Sequence, residues 1–135
     1  MPPSSPWYFI RSMHSGLVLD IEGGKKGGKI ITYAKHGGDN QLWTWKGNTI
    51  VSKTGYALDV QGNNAASGTN VISWDHHGER NQQWKMNGDK ILSELNNGMA
   101  LDIRGGSMNE GVDIILWPVQ YGKVNNQSWQ LVPFG

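Results

Sequence analysis

Asn81-Gln82-Gln83-Trp84 is one of three copies of the same four-residue word, which occurs also as Asn40-Gln41-Leu42-Trp43 and Asn126-Gln127-Ser128-Trp129. Successive tryptophans of the word stand 41 and 45 residues apart, so the chain is a threefold repeat. The word sits at the same place in each repeat. A first apolar stretch (Tyr8-Phe9-Ile10, Ile50-Val51, Ile91-Leu92) leads through Ser12, Ser52 or Ser93 to Gly16, Gly55 or Gly98. This reads as a strand and a turn. Next come Leu17-Val18-Leu19-Asp20-Ile21, Tyr56-Ala57-Leu58-Asp59-Val60 and Met99-Ala100-Leu101-Asp102-Ile103, apolar strands that each contain one aspartate. A glycine-rich loop follows, then a third strand that ends on an aromatic: Ile30 to Tyr33, Val71 to Trp74, Ile114 to Trp117. A polar loop leads into the Asn-Gln-x-Trp word and a fourth strand ending at Trp45, Met86 or Leu131.

Four short strands in each of three repeats, with no helical periodicity, predict about twelve strands in an all-β domain. A unit of this size cannot bury its own apolar face, so three must share one core around a pseudo-threefold axis, which is a β-trefoil. The expected organisation is a loose Pro- and Ser-rich tail over residues 1–6 and one domain over 7–135, with repeats at about 7–47, 48–88 and 89–135. The expected core holds Leu19, Leu58, Leu101, Ile31, Ile72, Ile115 and the tryptophans Trp43, Trp84 and Trp129. Gln41, Gln82 and Gln127 are expected to bond backbone groups inside it, since a buried amide needs partners.

Composition narrows the function. Nineteen glycines without a collagen period fit many tight turns. A net charge of +1 argues against a nucleic-acid footprint or a membrane-surface patch, and favours a neutral partner. There is no cysteine, hence no disulfide framework and no thiol chemistry. The first residues lack the basic and apolar regions of a secretory signal, so a cytoplasmic or non-conventionally secreted protein is expected, and Met1 and Gly135 fit a complete chain.

Outside the core, each repeat leaves the same polar set: Asp20, Tyr33 and Asn40; Asp59, Trp74 and Asn81; Asp102, Trp117 and Asn126. Core packing alone does not require that recurrence. Asp and Asn also serve in turns by bonding their own backbone, a reading that three ordered copies make the weaker one. A carboxylate accepts hydrogen bonds from adjacent hydroxyls, an amide offers a donor and an acceptor, and an aromatic face is a flat apolar platform. Together they suit a sugar, with hydroxyls at its edge and a C–H patch on one face.

These residues carry a resemblance. The triple Gln-x-Trp and the Leu-Asp-Ile/Val segment are similar to those of R-type lectins, the ricin B-chain-like β-trefoils, from Trp7 to Val132. The runs Gly16-Leu17-Val18-Leu19-Asp20-Ile21-Glu22-Gly23 and Lys29-Ile30-Ile31-Thr32-Tyr33 resemble small invertebrate galactose-binding members most. The resemblance implies binding of galactose- or N-acetylgalactosamine-terminated glycans without catalysis or cofactor. It implies that Asp and Asn bond the hydroxyls, the aromatic stacks, and the glycine-rich loop offers backbone groups. A homodimer is compatible with it.

Departures from the pattern rank the sites. The first repeat has a loop two residues shorter and Tyr33 for Trp, so its platform is expected to sit differently. His36 and His77 precede Asn40 and Asn81 by four residues and are candidates to bond a hydroxyl, or are solvated loop residues. The third repeat lacks that His but has Gln120, Tyr121 and Lys123 in a longer loop, candidates to contact a second sugar unit.

Other motifs carry less. Gly23 to Lys29 fits part of a phosphate loop, but Ile30 replaces the magnesium-binding hydroxyl and a strand follows in place of a helix. Asp75-His76-His77 supplies no complete metal-ligand set. Asn126-Gln127-Ser128 is a glycosylation acceptor that coincides with a proposed ligand residue. A glycosidase needs two carboxylates at one bond, and only one acid recurs. Two rival readings remain: a protein-interaction trefoil of the cytokine, inhibitor or actin-bundling kind, and the carbohydrate-binding module of a glycosidase.

Overall fold

The computed structural model describes residues 6–135; the tail expected over 1–6 lies, apart from Pro6, outside the described residues. The twelve expected strands are present: β1 Tyr8–Ser12, β2 Val18–Ile21, β3 Ile30–Tyr33 and β4 Trp43–Lys46; β5 Thr49–Ser52, β6 Tyr56–Val60, β7 Val71–Asp75 and β8 Trp84–Asn87; β9 Lys90–Ser93, β10 Asn96–Ile103, β11 Ile114–Pro118 and β12 Trp129–Pro133. Among the described residues the only helical segments are single 3-10 turns.

The first and fourth strands of the three repeats form a closed barrel. β1 pairs with β12 and β4, β4 with β5, and β8 with β9. The Trp84 amide donates to Asn48 O (2.7 Å) and the Trp129 amide to Asp89 O (2.8 Å), which closes the two remaining seams. Closure leaves no edge strand to manage.

The second and third strands form three hairpins, β2–β3, β6–β7 and β10–β11, that cap one end. Each glycine-rich loop is joined to the hairpin of the next repeat. Gly27 donates to Ser73 O, Gly68 to Leu116 O and Gly111 to Thr32 O, at 2.7 to 2.8 Å, so the third repeat returns to the first. These three glycines have φ of 78°, 86° and 78°, a region in which a Cβ is strained. Cyclic hand-over between repeats explains why the loop must be glycine-rich without invoking a phosphate.

The central cluster holds Trp43, Trp84 and Trp129 with Leu19, Leu58 and Leu101, as expected. Each indole removes about 200 Å² from water, on the order of 5 kcal/mol as an upper bound. Ile31, Ile72 and Ile115 belong to the buried apolar core too, in a second layer. They stand outside that cluster, where Ile30, Val71 and Ile114 take the place. Side chains alternate along a strand, so Ile31, Ile72 and Ile115 share the outer face with the terminal aromatics.

Candidate functional site

That alternation assembles the polar set. In the cap hairpins Asp20 lies opposite Ile31, Asp59 opposite Ile72 and Asp102 opposite Ile115. The aromatic two residues further on is therefore the diagonal same-face neighbour of the aspartate. Tyr33, Trp74 and Trp117 are 41%, 40% and 42% exposed. The first platform was expected to sit differently; it does not, because the shorter loop is absorbed in the glycine-rich turn and leaves the Val18–Tyr33 pairing equivalent to Ala57–Trp74 and Ala100–Trp117.

The Asn-Gln-x-Trp word clamps the aspartate segment at three consecutive residues. The indole N–H of Trp43, Trp84 or Trp129 donates to the carbonyl of Leu19, Leu58 or Leu101, just before the aspartate, at 3.1 to 3.2 Å. Gln41, Gln82 and Gln127 donate through Nε2 to Oδ2 of Asp20, Asp59 and Asp102 at 2.8 to 3.0 Å. Asn40, Asn81 and Asn126 donate through Nδ2 to Oδ1 of the same aspartates at 3.0 to 3.2 Å, and to the carbonyl of Ile21, Val60 or Ile103 just after.

The glutamines were expected to bond backbone groups. They do so, to Ala34, Asp75 and Pro118 carbonyls and to amides of the following loop, but they also hold the carboxylates. The amide orientations follow from the partners: a nitrogen facing a carboxylate and a carbonyl must be the donor.

Each asparagine thus commits both N–H groups within the protein. What it can offer a ligand is Oδ1 alone, an acceptor, where the sequence suggested donor and acceptor together. Each carboxylate oxygen keeps lone-pair capacity after its one side-chain bond. The site therefore takes hydroxyl donors. Burial pushes the carboxyls of Asp20, Asp59 and Asp102 above the usual aspartate range, against the pull of their Gln and Asn donors. At Asp20 the Glu22 charge adds to the rise, while His36 opposes it.

His36 and His77 accept at Nδ1 from the amides of Gly38 (2.9 Å) and Glu79 (3.0 Å). A ring that accepts at Nδ1 carries its proton on Nε2, which lies 3.6 Å from Asp20 Oδ2 in the first repeat and 3.7 Å from Asp59 Oδ2 in the second. Those gaps exceed a hydrogen bond.

In the third repeat Gln120 occupies the same station, its amide donating to Gln127 as those of His36 and His77 donate to Gln41 and Gln82. Counting three residues on from the aromatic, instead of back from Asn, would have found it in the sequence. Tyr121 and Lys123 stand outside the lining of the third cleft. The Tyr121 hydroxyl accepts from Asn87 (3.0 Å), and the Lys123 carbonyl accepts from the buried Lys90, which anchors the longer loop.

The remaining motifs are absorbed by the scaffold. Asp75 pairs with Lys26, His76 with Thr49, and His77 faces Asp59. Gln127 and Ser128 of the glycosylation acceptor are buried, and Asn126 is fully engaged at Nδ2.

The second and third sites differ in shape. A cleft of about 510 Å³ in the third repeat brings together Asp102, Trp117, Gln120, Asn126, Ile115 and the Arg104–Gly106 turn. In the second, the cleft opens beside His77 and Asn81 but takes in neither Asp59 nor Trp74. Lys26, from the first repeat, lies 4.6 Å over the Trp74 ring.

A closed threefold trefoil that presents a clamped, acceptor-rich carboxylate beside an exposed ring in every repeat is a recognition module built for a polar, hydroxyl-bearing ligand. The chain belongs to the family of ricin-type β-trefoil lectin domains, whose sequence model matches residues 6–129. No curated protein sequence matches it. Among solved structures it is similar to the designed threefold-symmetric protein ThreeFoil, at 32% identity and a TM-score of 0.84 over 95% of this chain and 99% of that one. It is similar also to the C-terminal half of the earthworm R-type lectin, solved in complex with GalNAc, at 28% identity and 0.77 over 98% and 100%. An exo-β-1,3-galactanase from Clostridium thermocellum matches at 28% identity and 0.83, over 99% of this chain and 31% of the enzyme. The family and these neighbours make the chain a carbohydrate-binding domain of a class that is as a rule not enzymatic.

Proposed function

We propose that the protein is a multivalent lectin that recognises terminal galactose or N-acetylgalactosamine through up to three sites, one per repeat. The observation that carries the reading is the triple geometry: a buried carboxylate, held on both oxygens by Asn and Gln, diagonal to an equally exposed aromatic. The carboxylate and the Asn Oδ1 accept from adjacent sugar hydroxyls, and the ring carries the C–H face of the pyranose. His36, His77 and Gln120 stand beside the carboxylate, within reach of a further hydroxyl. The resemblance of the earthworm lectin, crystallised with GalNAc, supports that choice of sugar. Nothing in the site splits a bond: each repeat has one recurrent acid where glycoside hydrolysis takes two.

The sites are shallow, so single-site affinity is expected in the millimolar to tens-of-micromolar range, roughly −4 to −6 kcal/mol. Titration with lactose tests the reading. Saturable binding is expected, and a flat response to every galactoside at millimolar concentration rejects it. The galactanase match favours a second arrangement, in which the same domain delivers galactoside recognition beside a catalytic domain. The sugar chemistry of the site is the same in either.

A further inference from the structure

The position two residues after the site aspartate is Glu22 in the first repeat, Gln61 in the second and Arg104 in the third. It opens the short turn on the rim of each site. Glu22 is close enough to Asp20 for its charge to be felt there, and Arg104 is part of the wall of the third cleft. At this one position the three repeats therefore carry a negative, a neutral and a positive side chain beside the same sugar-binding set.

Arg104 is held in place. Its Nη2 donates to Asn70 Oδ1 at 2.9 Å, and its Nε lies 3.7 Å from Asp113 Oδ2. Asp113 does not neutralise it, because Lys29 shares the same oxygen, also at 3.7 Å. Two cations face one carboxylate, and the Arg104 side chain is half exposed. A guanidinium has five N–H donors, of which the bond to Asn70 occupies one; Asp113, at 3.7 Å, is an ion-pair contact beyond hydrogen-bond length, and Arg104 lines the cleft. A planar, positioned fork of this kind suits a sulfate or carboxylate.

Resting on the galactoside reading above, we infer that the third site selects galactosides that carry an anionic substituent, a sulfate ester or a sialic acid carboxylate, and that Arg104 is the residue that reads it. The first site, with Glu22 in the same place, disfavours such ligands.

The test uses the full chain with Asp20→Ala and Asp59→Ala, so that only the third site reports. Galactose, galactose 3-sulfate, galactose 6-sulfate, lactose and the two sialyllactoses are titrated at low and high salt. At least one anionic ligand is expected to bind roughly three- to tenfold more tightly than its neutral parent, the size of an exposed charge-assisted contact. The preference should shrink in high salt. Which ligand gains separates sulfate from sialic acid. Arg104→Gln is expected to bring the anionic-to-neutral ratio to about one and Arg104→Glu below one, whereas Gln61→Arg in a protein keeping only the second site should raise it there. A purely structural Arg104 would alter stability without moving that ratio. If the double background does not fold, the same ratio is measured for Arg104→Gln in the otherwise unaltered chain. Binding of neutral galactosides with no anionic preference overturns this inference alone; binding of no galactoside overturns the lectin reading with it.

Discussion

The aspartates are costly to the fold and, on the proposed reading, necessary to the site. Asp20, Asp59 and Asp102 are buried in an outer layer, with two amide donors each and no cation in hydrogen-bond contact. Their carboxyl groups are held above the usual aspartate range, mainly by burial. A raised folded value means that the folded chain takes up these protons at higher pH than the unfolded chain does. The cost of the three charges is present above the folded values and is relieved as pH falls through them toward 3.8, the ordinary aspartate value. Binding has the opposite sign, because a protonated carboxyl loses charge-assisted acceptance from the sugar hydroxyls. Lactose affinity should therefore fall on acidification at a pH above 3.8, while thermal melts at that pH show the chain still folded. A binding midpoint at or below that value, or one that coincides with unfolding, would contradict the account.

At the scale of the element, the unit of this structure is a pair of words. Leu-Asp-Ile/Val on the second strand and Asn-Gln-x-Trp before the fourth are joined by four side-chain hydrogen bonds, so the scaffold word is also the word that sets the site. The period, the strands and the carriers Asp, aromatic and Asn were legible in the sequence, because repeats expose what recurs at fixed spacing. Three things were not. Whether Ile30 or Ile31 faces inward depends on a one-residue register, which two adjacent isoleucines do not encode. The role of the glutamines was half visible: a buried amide announces that it has partners, not which ones. The equivalence of Gln120 with His36 and His77 was hidden by a loop anchored elsewhere, on Lys90. The clamp makes a testable claim. Gln82 is fully buried and makes four hydrogen bonds, to Asp59, to the Asp75 carbonyl and to the amides of His77 and Gly78. Gln82→Met keeps the length and strands four polar groups, some of which water will reach. Chemical denaturation should show a loss of about 3 kcal/mol or more. The second site should weaken as well, since Asp59 loses the donor that most favours its charged form. An unchanged denaturation midpoint would mean that the glutamine is not a clamp.

On the proposed reading, the whole molecule turns one weak site into three on different sides of one axis. The glycine-rich loop of each repeat is bonded to the third strand of the next, so the sites are built on a single cyclic frame and cannot drift independently. That rigidity has a consequence for valency. Sites at fixed separation on one body can bridge chains on a glycan-coated surface, and linked binding of this kind raises avidity by about 10² to 10⁴ over one site. Asp20→Ala, Asp59→Ala and Asp102→Ala should each lower the number of lactose molecules bound per chain by one, with the intrinsic affinity of the remaining sites nearly unchanged. Retention on a galactoside-coated surface should fall far more steeply, by an order of magnitude or more for each site lost. Isothermal titration gives the first quantity and dissociation from the coated surface the second. The alanine variants should stay folded, because each Gln and Asn amide keeps its backbone carbonyl and the buried charge is removed. A stoichiometry of one, insensitive to Asp20→Ala and Asp59→Ala but abolished by Asp102→Ala, would leave the open third cleft as the sole working site, and the steep loss of surface retention would then be absent.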